Sequence, residues 1–300
     1  MTAHTPNRRK GVLLMLGAGL CWSLGGLIVR ALTVKDAWEI VFWRSLFMGA
    51  FVAVVLLAMH GRQAVAQVRA VGAGGVVAAV CLAAQIYFFI LSLGKTATAN
   101  TFVLMSISPL VTAITGWLFL GERVRWTTWA AIAVALAGIA VMFGDGFRVE
   151  EASSQWLGNL FALFVPLAYA MQILFVRRMQ RPGAAPPNLL PTILIAGIIA
   201  AVPAFLLAPT LAASRTDIAL LALMGCVQLG LGCLLMTLAV PHLRAAQMGL
   251  LALTETILAP LWVWLGVGEV PAGAALAGGA LIIAALVANG WVSLREDSAR

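Results

Sequence analysis

The 300 residues are 62% hydrophobic and only 10% charged, with a mean hydropathy of +1.01 and a net charge of +8. Soluble domains run near half apolar and about a quarter charged, so this composition excludes one. The positive charge is scattered between apolar runs, which points to loops flanking membrane spans and away from a nucleic-acid patch.

A membrane helix needs about 20 apolar residues. Ten runs approach that length, at residues 11–29, 38–59, 71–93, 99–120, 127–143, 156–176, 189–208, 218–240, 246–267 and 272–291, which predicts an all-α integral membrane protein. The first run follows the basic Arg8-Arg9-Lys10. It is too long for a secretory signal and no small-residue cleavage site follows, so it reads as a span. Trp22 lies deep within it.

The second run carries Arg44, about 9 Å in from the start of its span. Such a side chain either snorkels outward or binds carbonyls, and a structural role is favoured over solute contact. In the third run Gln85 and Tyr87 each need a hydrogen-bond partner inside hydrocarbon, be it another helix, water or solute. The fourth contains Ser108, Pro109 and Thr112, with Thr101, Met105 and Thr115 on the same helical face. Hydroxyls there serve a polar site or bond back to their own helix.

The linker "GDGFRVEEASSQ" (Gly144 to Gln155) is the longest polar break, and it divides the chain into units 1–150 and 151–300. The sixth run places Pro166, Tyr169 and Gln172 within one stretch, and the eighth supplies Gln228. In the ninth, "LTETILAP" sets Glu255 about 14 Å from the nearer end of its helix. An ionisable group at that depth costs several kcal/mol unless paired or hydrated, and by default marks a pathway. The alternative is a protonated carboxyl holding two helices together. Pro260 and Trp262 follow on the same helix. Pro109, Pro166 and Pro260 each free a carbonyl, so all three are candidate hinges.

Cys21, Cys81, Cys226 and Cys233 all fall inside spans, where they act as small apolar residues and suggest neither disulfide nor metal. His4, His60 and His242 fall outside. With no nucleophile-base pair, phosphate-binding loop or metal-ligand spacing, no enzyme activity and no cofactor is expected, and ATP is excluded as direct driver.

Ten spans put both termini on one side. Thirteen Lys and Arg lie on that side and five on the other, with Arg44 within a span. The positive-inside rule then predicts cytoplasmic termini.

Sliding the sequence by 147 residues lays "WLFLGE" (Trp117 to Glu122) on "WLGVGE" (Trp264 to Glu269), Arg30 on Arg177 and Trp22 on Tyr169, without a gap. Five spans per half is an odd number, so the second half enters inverted. Inverted repeats characterise secondary transporters, with the solute site near the midplane and one half rocking against the other.

Phe42-Trp43-Arg44-Ser45, "SPLVTAITGWLFLGE" (Ser108 to Glu122) and its echo "ETILAPLWVWLGVGE" (Glu255 to Glu269) resemble the EamA-type branch of the drug/metabolite transporter superfamily. In length and layout the chain is similar to bacterial inner-membrane amino-acid exporters of that branch, including the YddG-type exporters of aromatic amino acids. The resemblance implies a central cavity walled by spans 1, 3, 4, 6, 8 and 9, with 2, 5, 7 and 10 more peripheral. It also implies a small-molecule substrate, lipid as the surrounding partner and no nucleic acid; a monomer is favoured. The expected substrate-contacting set is Trp22, Arg44, Gln85, Tyr87, Ser108, Thr112, Tyr169, Gln172, Gln228, Glu255 and Trp262. A multidrug or cationic-solute exporter with Glu255 as counter-ion is the alternative, and an intramembrane enzyme or scaffold a more distant one.

Overall fold

The computed structural model describes residues 7–121, 124–144, 152–179, 188–243 and 245–298. Glu122, linker residues 145–151 and the side chain of Arg177 lie outside the described residues. Among those described, the chain is helical throughout with no strand. The helices are α1 (Arg8–Ala31), α2 (Ala37–His60), α3 (Gln63–Arg69), α4 (Gly72–Leu93), α5 (Thr98–Met105), α6 (Ser108–Leu120) and α7 (Trp126–Gly144). They continue with α8 (Ala152–Met179), α9 (Leu190–Leu207), α10 (Arg215–Leu223), α11 (Gly232–Ala239), α12 (Ala245–Val267) and α13 (Gly273–Ser298).

Side-chain caps set several starts. Asn7 accepts from the Lys10 amide, Asp36 from Glu39 and Ser214 from Asp217, each satisfying a backbone donor that the first turn leaves free. Nine segments are long and apolar enough to cross a membrane, among the described residues. The predicted fifth span coincides with a shorter apolar helix, Trp126–Val141. The surface carries many large apolar side chains, including Val54, Leu57, Leu136, Leu206 and Trp126. A band of that kind is lipid-facing, because water would not tolerate it.

Two spans are less regular than their hydropathy suggests. The fourth is broken: α5 ends at Met105 and α6 starts at Ser108, with Pro109 in its first turn. A proline has no amide to donate and is accommodated where a helix begins, so it marks the restart. Pro166 and Pro260, in contrast, lie inside the continuous α8 and α12. In the eighth span, a π-helical stretch (Met224–Leu231) joins α10 to α11. Such wide turns re-aim side chains and recur at functional sites.

The packing is pairwise. α1 lies on α12 and on the π-helical stretch and α11; α4 lies on α8 and α9; α2 packs on α9 and on the π-helical stretch; α7 pairs with α13; and α5 and α6 lie on α8. The 147-residue shift carries these neighbour pairs onto one another, α4 on α8 answering to α11 on α1, and α1 on α12 to α8 on α5 and α6. The pairs α2–α9 and α7–α13 map onto themselves.

Gly225 governs how closely α2 approaches the π-helical stretch. A Cβ there would stand 2.6 Å from the Arg44 carbonyl oxygen, 2.6 Å from Phe47 Cβ and 2.9 Å from the Met48 nitrogen. Two of those atoms are backbone and cannot rotate away. Gly225→Ala is therefore expected to destabilise the fold by about 1–3 kcal/mol, the usual cost of overpacking. A lowered unfolding temperature in detergent measures it, and an unchanged one would mean that α2 can move aside at little cost.

Candidate solute-binding site

Around the α1–α12 crossing, side chains from five helical segments form one connected polar group. Arg44 on α2 donates from Nη2 to Gln228 Oε1 at 3.1 Å, and Gln228 in turn donates from Nε2 to the Trp22 carbonyl at 3.3 Å. Trp262 on α12 donates its ring N–H to Ser23 Oγ at 3.0 Å, while Ser23 donates to the Leu20 carbonyl at 2.7 Å. The Trp22 indole lies flat against Gly232, where any side chain would collide with it. Cys233, the next residue, is buried.

Glu255 occupies the middle of α12, beside Gly19 of α1: a Cβ on Gly19 would lie 3.8 Å from the Glu255 nitrogen and 3.4 Å from Thr254 Cβ. It is partly buried, as are Trp22 and Trp262. No hydrogen-bond or ion-pair partner for its carboxylate is found among the described residues.

Arg44 departs from the sequence expectation. It neither snorkels outward nor binds carbonyls; it is 2% exposed, and its guanidinium carbon sits 5.1 Å from the centre of the Phe89 ring on α4. Its Nε and Nη1 are buried without a partner. The close approach at Gly225 draws α2 inward, which is why a residue on an outer helix reaches this group.

The remaining candidates divide. Gln85 donates to Gln172 Oε1 at 2.7 Å and to the Cys81 carbonyl at 3.2 Å, bridging α4 and α8. Tyr169, on the same helix as Gln172, is partly buried and has an interaction partner of its own. Tyr87 turns away: its hydroxyl donates to the Ala200 carbonyl of α9 at 2.6 Å and its ring meets Trp38 edge-on at 5.5 Å. Ser108, Thr112 and Thr115 donate to Met105, Ser108 and Thr112 carbonyls at 2.6, 2.8 and 3.0 Å, and Thr101 is buried against Ser92 at 2.8 Å. Thr112 and Thr115 thus spend their protons on α6 itself and Ser108 spends its own on the end of α5, though their oxygens can still accept.

A second polar group lies where α1 ends, and sequence reasoning missed it. Arg30 Nε donates to Glu269 Oε2 at 2.6 Å, Nη1 to the Leu93 carbonyl at 3.0 Å and Nη2 to the Thr96 carbonyl at 2.8 Å. The other oxygen of Glu269 accepts from the Thr98 amide at 2.7 Å. Next to it Thr96 donates to Asn159 Oδ1 at 2.7 Å, with Asn100 bonded to both. These bonds tie the ends of α1 and α4 to the start of α5 and to the segment after α12. Each charge matches its helix end, an anion at the N-terminus of α5 and a cation at the C-terminus of α4. The signal was present in the 147-residue spacing, at which Arg30 and Glu269 each recur.

Residues 9–144 match the model of the EamA-like transporter family. Over that stretch the chain is EamA-like. Its relatives extend the match beyond the first half: it is 27% identical to the pseudopaline exporter CntI of Pseudomonas aeruginosa, over 93% of this chain and 95% of that protein. A probable terminal-alkyne amino-acid exporter of Streptantibioticus cattleyicolor is 30% identical over 62% of this chain and 61% of its own length. An uncharacterized transporter of Vibrio cholerae is 29% identical over 48% of this chain, which spans only 50% of that relative. One crystal structure superposes with a TM-score of 0.70 over 95% of this chain and 99% of its own, at 18% identity, a likeness of fold alone. This EamA-like protein is accordingly a multi-pass membrane transporter, and its exporter relatives imply a small-molecule substrate.

Proposed function

We propose that the chain exports small amphipathic metabolites, amino acids before others, from the cytoplasm across a bacterial inner membrane. The observation that carries this reading is the Glu255 carboxylate, held in the middle of α12 beside Gly19 and without a partner among the described residues. A carboxylate so placed has a ligand's ammonium as its natural complement, and aromatic walls with a few polar groups suit a small solute. The exporter relatives support the direction of transport, one of them a probable terminal-alkyne amino-acid exporter.

In this reading α7 also crosses the membrane, making ten spans in two inverted halves, 1–150 and 151–300, with both termini cytoplasmic. Its 19 residues give about 28 Å, which a bilayer meets by modest local thinning. The exchange of helix neighbours under the 147-residue shift supports the repeat. The Arg30–Glu269 clamp then faces the periplasm and closes the exit, while Pro166 and Pro260 let α8 and α12 bend as the halves rock. Monomers suffice for this mechanism.

Uptake of labelled phenylalanine, leucine and threonine into proteoliposomes, against a panel of cationic dyes, tests the reading. Amino-acid uptake at least tenfold above empty liposomes is expected. Dye uptake without amino-acid uptake would replace the reading with a cation exporter in which Glu255 is the counter-ion.

A further inference from the structure

We propose that Arg44 binds the carboxylate of the transported solute, so that the site selects zwitterions, with Glu255 taking the ammonium end. This deepens the exporter reading and rests on it.

The argument starts from an imbalance. Arg44 is almost completely buried, yet of its guanidinium nitrogens only Nη2 has a hydrogen-bond partner, the neutral Gln228 side chain; Nε and Nη1 have none. Arginine does not shed its proton in proteins, so the charge remains. A buried cation without a counter-ion is among the most costly arrangements a fold can hold, and the face of Phe89 offsets only part of that cost. Among the described residues the one ion pair is Arg30–Glu269, which leaves Arg44 without a carboxylate in contact.

Geometry makes the vacancy specific. Nη2 belongs to both carboxylate-binding edges of the guanidinium, one shared with Nε and one with Nη1; it carries two hydrogens and Gln228 takes one, so one edge stays free to hold both oxygens of a carboxylate in parallel bonds. Gln228 fixes the orientation of the group, and the Gly225 contact fixes the backbone behind it, so the fork is preorganised. Arg44 reaches Trp22 of α1 through Gln228, and Glu255 lies against Gly19, less than one turn earlier on the same helix. One cation short of partners and one anion without a partner among the described residues therefore adjoin the same turn of α1. A solute with a carboxylate and an ammonium on neighbouring atoms, and an apolar side chain to lie on Trp22 or Trp262, satisfies both.

The test compares phenylalanine, its decarboxylated analogue phenethylamine and its methyl ester in proteoliposomes of the full-length protein. The wild type is expected to transport phenylalanine at least tenfold faster than either analogue. Arg44→Gln is expected to lose at least tenfold for phenylalanine while its phenethylamine rate holds or rises, and Arg44→Lys, which keeps the charge without the fork, to fall between. Where Arg44→Gln does not fold, ligand-induced thermal stabilisation of the wild-type protein decides: stabilisation by phenylalanine and not by phenethylamine or the ester supports the proposal. Equal transport or equal stabilisation by acid and amine overturns it and leaves the exporter reading standing. Equal losses for both solutes in a folded Arg44→Gln protein also overturn it, making Arg44 structural. Absence of any amino-acid transport by the wild type sinks the exporter reading and this inference with it.

Discussion

Glu255→Gln is expected to slow the transport of ammonium-bearing solutes about 10- to 100-fold in proteoliposomes. The size follows from the interaction removed: a hydrogen bond to a charged group contributes about 1.5–3 kcal/mol, and about 1.4 kcal/mol is a factor of ten. The amide keeps the volume and an accepting oxygen but loses the charge, so packing beside Gly19 should be preserved and the protein should remain monodisperse. Glu255→Asp keeps the charge on a shorter stem and is expected to retain part of the activity. Two assays divide the possible roles. If both solute counterflow and pH-gradient-driven accumulation fall, Glu255 contacts the solute; if only accumulation falls, it carries the coupling proton. Wild-type behaviour in both would leave Glu255 as a helix-helix contact.

The spans were legible because lipid asks one question of a sequence, whether some 20 residues in a row can be desolvated, and apolar runs answer it locally. The polar residues within those runs were legible for the same reason, since each stands out against its neighbours. What the runs cannot reveal is where a side chain ends up once helices pack. Tyr87 and Gln85 are two residues apart on α4, yet one bonds to α9 and the other to α8. Arg44 turned inward because a glycine 181 positions later lets α2 approach the π-helical stretch, a relation no local pattern encodes. The break at Ser106 was half legible through Pro109, and the π-helical stretch, with no proline to announce it, was not. Arg30 enters the sequence reading through the charge count and the repeat, Glu269 through the repeat, and neither signal pairs the two.

That clamp gives the second large effect. Glu269→Gln is expected to raise about tenfold the rate at which Cys233 is labelled from the periplasmic side, in a protein whose other three cysteines are replaced. The reagent is a membrane-impermeant maleimide. Cys233 is 6% exposed and follows Gly232, which lies against Trp22, about two turns before Arg30 on α1; in the proposed orientation a reagent from the periplasm meets the clamp first. The side chains of Arg30 and Glu269 are 28% and 25% exposed, and an ion pair so wetted contributes less than about 1 kcal/mol by itself. The backbone bonds add to it, because Glu269 caps the first amide of α5 and Arg30 caps the last carbonyl of α4 and that of Thr96 in the connection after it. Weakening the closed exit by about 1.4 kcal/mol shifts the open population tenfold. Labelling at the wild-type rate would show that the exit is closed by something else.

The swapped double variant, Arg30→Glu with Glu269→Arg, separates the two contributions. An ion pair alone survives exchange of its partners, so labelling would return to the wild-type rate. The clamp does not survive it. A glutamate facing the carbonyl end of α4 and an arginine facing the amide end of α5 each oppose the helix dipole and leave three hydrogen bonds without a donor or acceptor of the right kind. The swapped protein is therefore expected to label at least as fast as Glu269→Gln. Recovery in the swap would place the gate in the charge pair and remove the helix ends from the mechanism.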